Sequence, residues 1–115
     1  RYEEALKEYD TAIGLNPNNP KYHNNKGLAL LNLNRYEEAL TEFDRAIALD
    51  PNNPDYHYNK GITLFYLRRC AEAVEEIKIT EILARENNWP QKDLNKIQKL
   101  LNKIQKSCSS KKGKK

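Results

Sequence analysis

RYEEALTEFDRAIALDPNNPDYHYNKGITLFYLR, residues 35 to 68, is a second copy of the stretch before it. Residues 1 to 34 read RYEEALKEYDTAIGLNPNNPKYHNNKGLALLNLN, and 22 of the 34 positions are identical with no slip of register. A fixed period of this length marks a stacked array of one small unit. Each unit reads as two helices joined by a tight turn. Such a pair cannot bury its apolar stripes alone, so it stacks on its neighbours.

The spacing within each copy predicts where the helices run. Tyr2, Ala5, Leu6, Tyr9, Ala12 and Ile13 fall on one helical face, which predicts a helix over 2–15. Glu3 and Glu4 crowd its first turn, as the helix dipole favours. Asn16-Pro17 stops it, because a residue before proline avoids the helical region. Asn19 can cap the next helix, with Pro20 in its first turn. That helix covers 20–33 and buries Tyr22, Ala29, Leu30 and Leu33. Glycine recurs in mid-helix at Gly27 and Gly61, which suggests close contact with a neighbouring helix. The second pass gives helix 36–49, lined by Tyr36, Ala39, Leu40, Phe43, Ala46 and Ile47, then helix 54–67. Beyond it the pattern decays. Residues 70–86 keep Ala73, Val74, Ile77, Ile82 and Leu83 but lose the proline stop, so this helix should run longer. Residues 91–106 form a last helix, with Leu94, Ile97, Leu101 and Ile104 on one side and lysines elsewhere. It reads as a cap over helix 70–86. The end, SCSSKKGKK, has nothing to bury and is expected to be disordered.

The charge is divided. Residues 1–86 hold 11 Lys/Arg against 15 Asp/Glu, whereas residues 87–115 hold nine lysines and one acid, Asp93. An acidic body is thus followed by a basic end, which bears on steering and solubility rather than on the fold. No run approaches the roughly 18 apolar residues of a membrane span. The chain opens on Arg1 in mid-unit, so it reads as a piece of a longer array. Helix 2–15 would then lack its upstream partner, and its bare apolar face offers a route to self-association. Cys70 and Cys108 form no Cys-x-x-Cys pair and no disulfide framework. Cys70 stands where Tyr2 and Tyr36 stand in the other units and reads as a packing thiol; Cys108 reads as an exposed, silent one. A cytoplasmic setting is the resulting expectation.

The chain resembles the tetratricopeptide repeat (TPR) family over residues 1 to about 87. In residues 20–53 the family's glycine matches Gly27, its small residues Ala39 and Ala46, its aromatic Phe43 and its closing proline Pro51. In residues 54–87 Gly61 and Ala73 match, while Ile77, Thr80 and Arg85 replace the aromatic, the second alanine and the proline. Residues 1–19 match as the second helix of a truncated unit, through Ala5, Tyr9, Ala12 and Pro17. The family's early Trp and Leu are absent; His23/His57 and Lys26/Lys60 stand there. The domain reading is therefore a half unit 1–19, units 20–53 and 54–87, a capping helix within 88–106 and a basic tail 107–115.

The resemblance implies an all-α, right-handed superhelical TPR solenoid of antiparallel helix pairs. It also implies a concave groove lined by the first helix of each unit, where a peptide of another protein lies. Carried onto this chain, the groove comprises Lys21, Asn24, Asn25, Leu28, Leu31 and Asn32, then Asp55, Tyr58, Asn59, Ile62, Phe65 and Tyr66. Periodicity separately places Leu28, Leu31, Ile62, Phe65 and Tyr66 outside the main buried stripe. They either await a partner or pack between successive first helices. Some TPR domains hold a C-terminal carboxylate through a Lys/Asn/Arg clamp. Only Asn25, Asn59 and Lys21 fit that pattern here.

Catalytic and metal chemistry find little support. His23 and His57 sit on successive helices, too far apart to share a zinc ion, and read as packing or hydrogen-bonding residues. The pairs Glu3-Glu4, Glu37-Glu38 and Glu75-Glu76 read as dipole complement and solvated face. No catalytic, metal or cofactor site is expected, and the chain reads as a non-catalytic interaction module. One rival reading remains. Lys92, Lys96, Lys99, Lys103 and Lys106 recur at helical spacing and could meet nucleic-acid phosphates or anionic lipid. Without interleaved aromatics or arginines, this electrostatic contact is the weaker reading.

Overall fold

The computed structural model describes residues 1–113, and side chains through residue 109. Six helices follow one another: α1 (Tyr2–Leu15), α2 (Pro20–Asn32), α3 (Tyr36–Leu49), α4 (Pro54–Tyr66), α5 (Cys70–Glu86) and α6 (Gln91–Gly113). Each packs on the next, α2 with α3 and α4 with α5 most extensively, and α2 also touches α4. The result is an all-α solenoid of antiparallel hairpins measuring 48 × 34 × 23 Å.

The helix ends repeat with the sequence. α1 and α3 stop where Asn16 and Asp50, each before a proline, swing to φ −146° and −145°. Asn19 and Asn53 cap the helices that follow, their side-chain oxygens accepting from Lys21 N–H (3.0 Å) and Asp55 N–H (2.9 Å). α2, α4 and α5 end differently. Asn34, Arg68 and Asn88 take φ of 62°, 64° and 59°. The next amides, of Arg35, Arg69 and Trp89, reach back to the carbonyls of Leu30, Leu64 and Ala84. These are Schellman closures, which satisfy the last free carbonyls of a helix.

Two apolar cores result. One joins Leu6, Ala29, Leu30, Ala39 and Phe43; the other runs from Leu40 and Leu64 through Ala73, Ile77 and Ala84 to Leu94, Ile97, Leu101 and Ile104. The glycines are where the hairpins close tightest. A β-carbon on Gly27 would lie 2.5 Å from the Phe43 ring, and one on Gly61 2.5 Å from Ile77 Cδ1. α6 lays its apolar side on α5, as a cap does.

A polar bracket backs each hairpin. His23 on α2 donates through Nε2 to the Pro17 carbonyl (2.9 Å), and its Nδ1 lies 3.0 Å from Glu42 on α3. Lys26 sits 2.7 Å from Asp10 on α1 and 3.7 Å from Glu42. The next unit rebuilds the set. His57 meets Pro51 and Glu76, each at 2.8 Å, and Lys60 meets Asp44 at 2.8 Å and Glu76 at 3.8 Å. The polar residues at the family's Trp and Leu positions thus tie each first helix backward, forward and to the turn before it.

Four expectations are corrected. Glu76 is not on a solvated face: it is the partly buried partner of His57 and Lys60. Ile82 is 58% exposed, because it lies on the side of α5 opposite the buried Ala73, Ile77, Thr80 and Ala84. Cys70 and Cys108 are not separate thiols but a disulfide, with Cα atoms 6.4 Å apart, joining the start of α5 to α6. The helix of the last segment does not end at 106. It continues to Gly113, since no proline or glycine interrupts it earlier and Cys108 is held against α5. Residues 114–115 of the expected tail lie outside the described residues.

Candidate partner-binding groove

The first helices stand in a row, and the row is linked by side chains. Asn59 Nδ2 on α4 donates to Asn24 Oδ1 on α2 across 2.9 Å. Beside this link lies an open hollow of about 350 Å³, lined by Lys21, Asn24, Asn25 and Leu28 of α2 and by Asn53, Asp55, Tyr56 and Asn59. Six of the twelve expected groove residues meet there: Lys21, Asn24, Asn25, Leu28, Asp55 and Asn59. Asn25 and Lys21 present free side chains to it among the described hydrogen bonds, whereas Asn24 and Asn59 are engaged with each other.

The hollow continues past α4. Three further depressions share Asp55 and Trp89, with volumes of about 410, 400 and 250 Å³. Their walls add Asp50 and Asn87 on one side and Tyr58, Asp93, Lys96 and Ile97 on the other. Burial pushes the Asp55 carboxyl above its ordinary range. Burial also raises the Tyr56 hydroxyl, helped by the negative charges of Asp50 and Asp55.

Of the other six expected groove residues, Tyr58 lines the hollow beside Trp89 and five go elsewhere. Leu31 packs with Leu28 against the first core, and Phe65 packs with Tyr58 against the second. Asn32 turns back to donate to the Leu28 carbonyl at 2.8 Å. Tyr66 is 54% exposed and stacks on Tyr36 of α3, ring centres 5.2 Å apart. Ile62 is half-buried and lines none of these hollows.

Sequence reasoning missed the α6 side of the groove. Trp89, Asp93 and Lys96 lie beyond the repeats and outside the expected groove residues, yet they line the hollows on the α6 side. The one available signal was Trp89 itself, a lone tryptophan beside a proline at a helix junction. Among the described residues, no three His, Cys, Asp or Glu come together as a metal set. No described helix is long and apolar enough to cross a membrane.

Comparison with known proteins agrees with this architecture. No curated protein sequence matches the chain. Among solved structures, the type III secretion translocator chaperone SycD of Yersinia enterocolitica superposes with a TM-score of 0.86 at 17% identity, over 94% of this chain and 74% of its own. The TPR2B domain of yeast Sti1, in complex with pHsp70, gives 0.79 at 21% identity over 89% and 83%. The second TPR of Spaghetti (RPAP3), bound to the HSP90 peptide SRMEEVD, gives 0.70 at 27% identity over 71% and 76%. A family model described as TPR repeat matches residues 1–34 and 27–67. With that pattern matched over more than half of its length, on a solenoid of paired helices, the chain belongs to the TPR repeat family.

Proposed function

We propose that this chain is a protein-interaction scaffold that holds a segment of another polypeptide along the row formed by α2, α4 and the start of α6. The observation that carries this reading is the run of connected hollows meeting at Asp55. Side chains from three successive elements line it, and several of them have no task within the fold. The carboxamide of Asn25 can donate to or accept from an extended backbone. Tyr58 and Trp89 supply the aromatic surface that dominates binding energy at such contacts. Structural neighbours whose descriptions include a bound peptide support the reading.

Selection from a random peptide library tests it. The selected peptides should bind the whole chain and lose most of their affinity for the double variant Lys21→Ala with Asn25→Ala, side chains that make no hydrogen bond or ion pair among the described residues. Selection of no binder, or equal binding by the variant, would argue against the groove.

A second reading draws on α6. Lys92, Lys96, Lys99, Lys103 and Lys106 are all exposed, and none makes an ion pair among the described residues. Electrostatic contact with nucleic acid or anionic lipid through this stripe would show as steeply salt-dependent binding of duplex DNA or anionic vesicles. It should vanish when the five lysines are neutralised.

A further inference from the structure

The charge around Trp89 selects an occupant. Three of the four hollows meet on this side chain, and its position is set by the backbone: Trp89 N–H closes the end of α5 on the Ala84 carbonyl. The apolar wall is the indole with Tyr58 and Ile97; the charged groups are Asp50, Asp55 and Asp93 against one lysine, Lys96. Elsewhere in the fold comparable carboxylates are matched, Asp10 by Lys26 and Asp44 by Lys60. Among the described residues Asp50, Asp55 and Asp93 have no such cation.

We propose that this end of the groove seats a cationic stretch of a partner polypeptide, a lysine or arginine side chain lying on Trp89 and paired with Asp55 and Asp93. The proposal rests on the groove reading and names the chemistry of its occupant. An ammonium or guanidinium over an indole face is drawn by the ring's electron density. Carboxylates at the rim supply charge-assisted hydrogen bonds that fix its direction. Asp55 is exposed and has no ion-pair partner among the described residues, so its carboxylate is open to an arriving cation. An acidic segment meets the reverse situation: like charges at close range with no counter-ion, which works as rejection.

Trp89 is the only tryptophan in the chain, so its fluorescence reports this site directly. The probe is the blocked peptide acetyl-GKRGKRG-amide, titrated against the intact chain, with SRMEEVD as the acidic comparison. The basic peptide should give a saturable change in Trp89 emission that weakens severalfold as salt rises. Asp55→Asn and Asp93→Asn should each weaken it about twofold to fivefold, on the scale of a partly exposed ion pair, with helical circular dichroism unchanged. The acidic peptide should leave the emission flat.

Several results would overturn this. If library-selected neutral or acidic peptides move Trp89 emission and the basic one does not, the cation preference falls while the groove stands. If no peptide of any charge is bound by the chain, both fall. Basic-peptide binding untouched by Asp55→Asn and Asp93→Asn would place the cation elsewhere. Emission that follows protein concentration without peptide would hand the site to the lysine stripe of a second copy.

Discussion

Gly27 lies against the face of Phe43 so closely that the smallest side chain would intrude on the ring, 2.5 Å from its Cε1 atom. Phe43 is fully buried and cannot swing aside. In an open helix, replacing glycine by alanine stabilises by about 1 kcal/mol. Here overpacking of about 1–3 kcal/mol should outweigh that gain. Gly27→Ala should therefore lower stability in urea unfolding. Gly14→Ala is the internal control: nothing lies within 4 Å of its β-carbon, so it should stabilise by about 0.5–1 kcal/mol.

The second prediction concerns pH. His57 has an acceptor on each ring nitrogen, the Glu76 carboxylate and the Pro51 carbonyl. The hydrogen bond to Glu76 raises its pKa; burial and the Lys60 charge oppose this, and the Pro51 bond and the Glu76 charge add to the rise. A raised folded-state value means the contribution to stability is complete below the unfolded value of about 6.5. It is lost as pH climbs through the folded value. The urea midpoint should fall from pH 6 to pH 8.5, and His57→Asn should flatten that slope. An unchanged slope in the variant would remove His57 as its source.

Third, Arg68 holds a left-handed backbone, φ 64°, at the position where the other two Schellman closures use Asn34 and Asn88. A residue with a long side chain is strained there by about 1 kcal/mol. Arg68→Asn or Arg68→Gly should raise the melting temperature by a few degrees, on the scale of about 0.5–1 kcal/mol for a chain of this size. No rise in either variant would mean that the Arg68 side chain makes a compensating contact.

Fourth, the Cys70–Cys108 bond closes a loop across α5 and α6, a sequence separation of 38. On loop closure alone it stabilises by about 3–4 kcal/mol. Reduction should lower the urea midpoint accordingly, and should change nothing in the Cys70→Ala, Cys108→Ala double variant. Amide exchange should quicken after Ile104 on reduction, while Leu94 to Leu101 keep their protection, because these side chains hold the cap by burial.

The periodic part of the fold could be read residue by residue. The stops of α1 and α3 and the starts of α2 and α4 follow from Asn-Pro or Asp-Pro steps, and the buried faces from stripes that local spacing displays directly. The misses at Glu76 and at the two cysteines share a physical cause: each depends on a partner distant in sequence. His23 and His57 are legible as hydrogen-bonding residues, but their partners Glu42 and Glu76 stand 19 positions on, where local spacing does not reach. Cys70 and Cys108 share no motif, and only the length of α6 brings them together. The groove was half visible. Family resemblance supplied α2 and α4, but it has nothing to say about Trp89 and Asp93, which lie beyond the repeat. Resemblance also assigned Phe65 and Tyr66 to the groove, and periodicity left open whether they await a partner or pack; the second core and Tyr36 take them.

The bracket of His23, Glu42, Lys26 and Asp10 is reproduced by His57, Glu76, Lys60 and Asp44, so each junction carries a complete joint made from its own residues. The array is therefore spliceable. A tandem duplicate of residues 20–53 would arrive with both halves of its coupling to the blocks before and after it, and the reach of the scaffold could grow by whole modules with no interface redrawn.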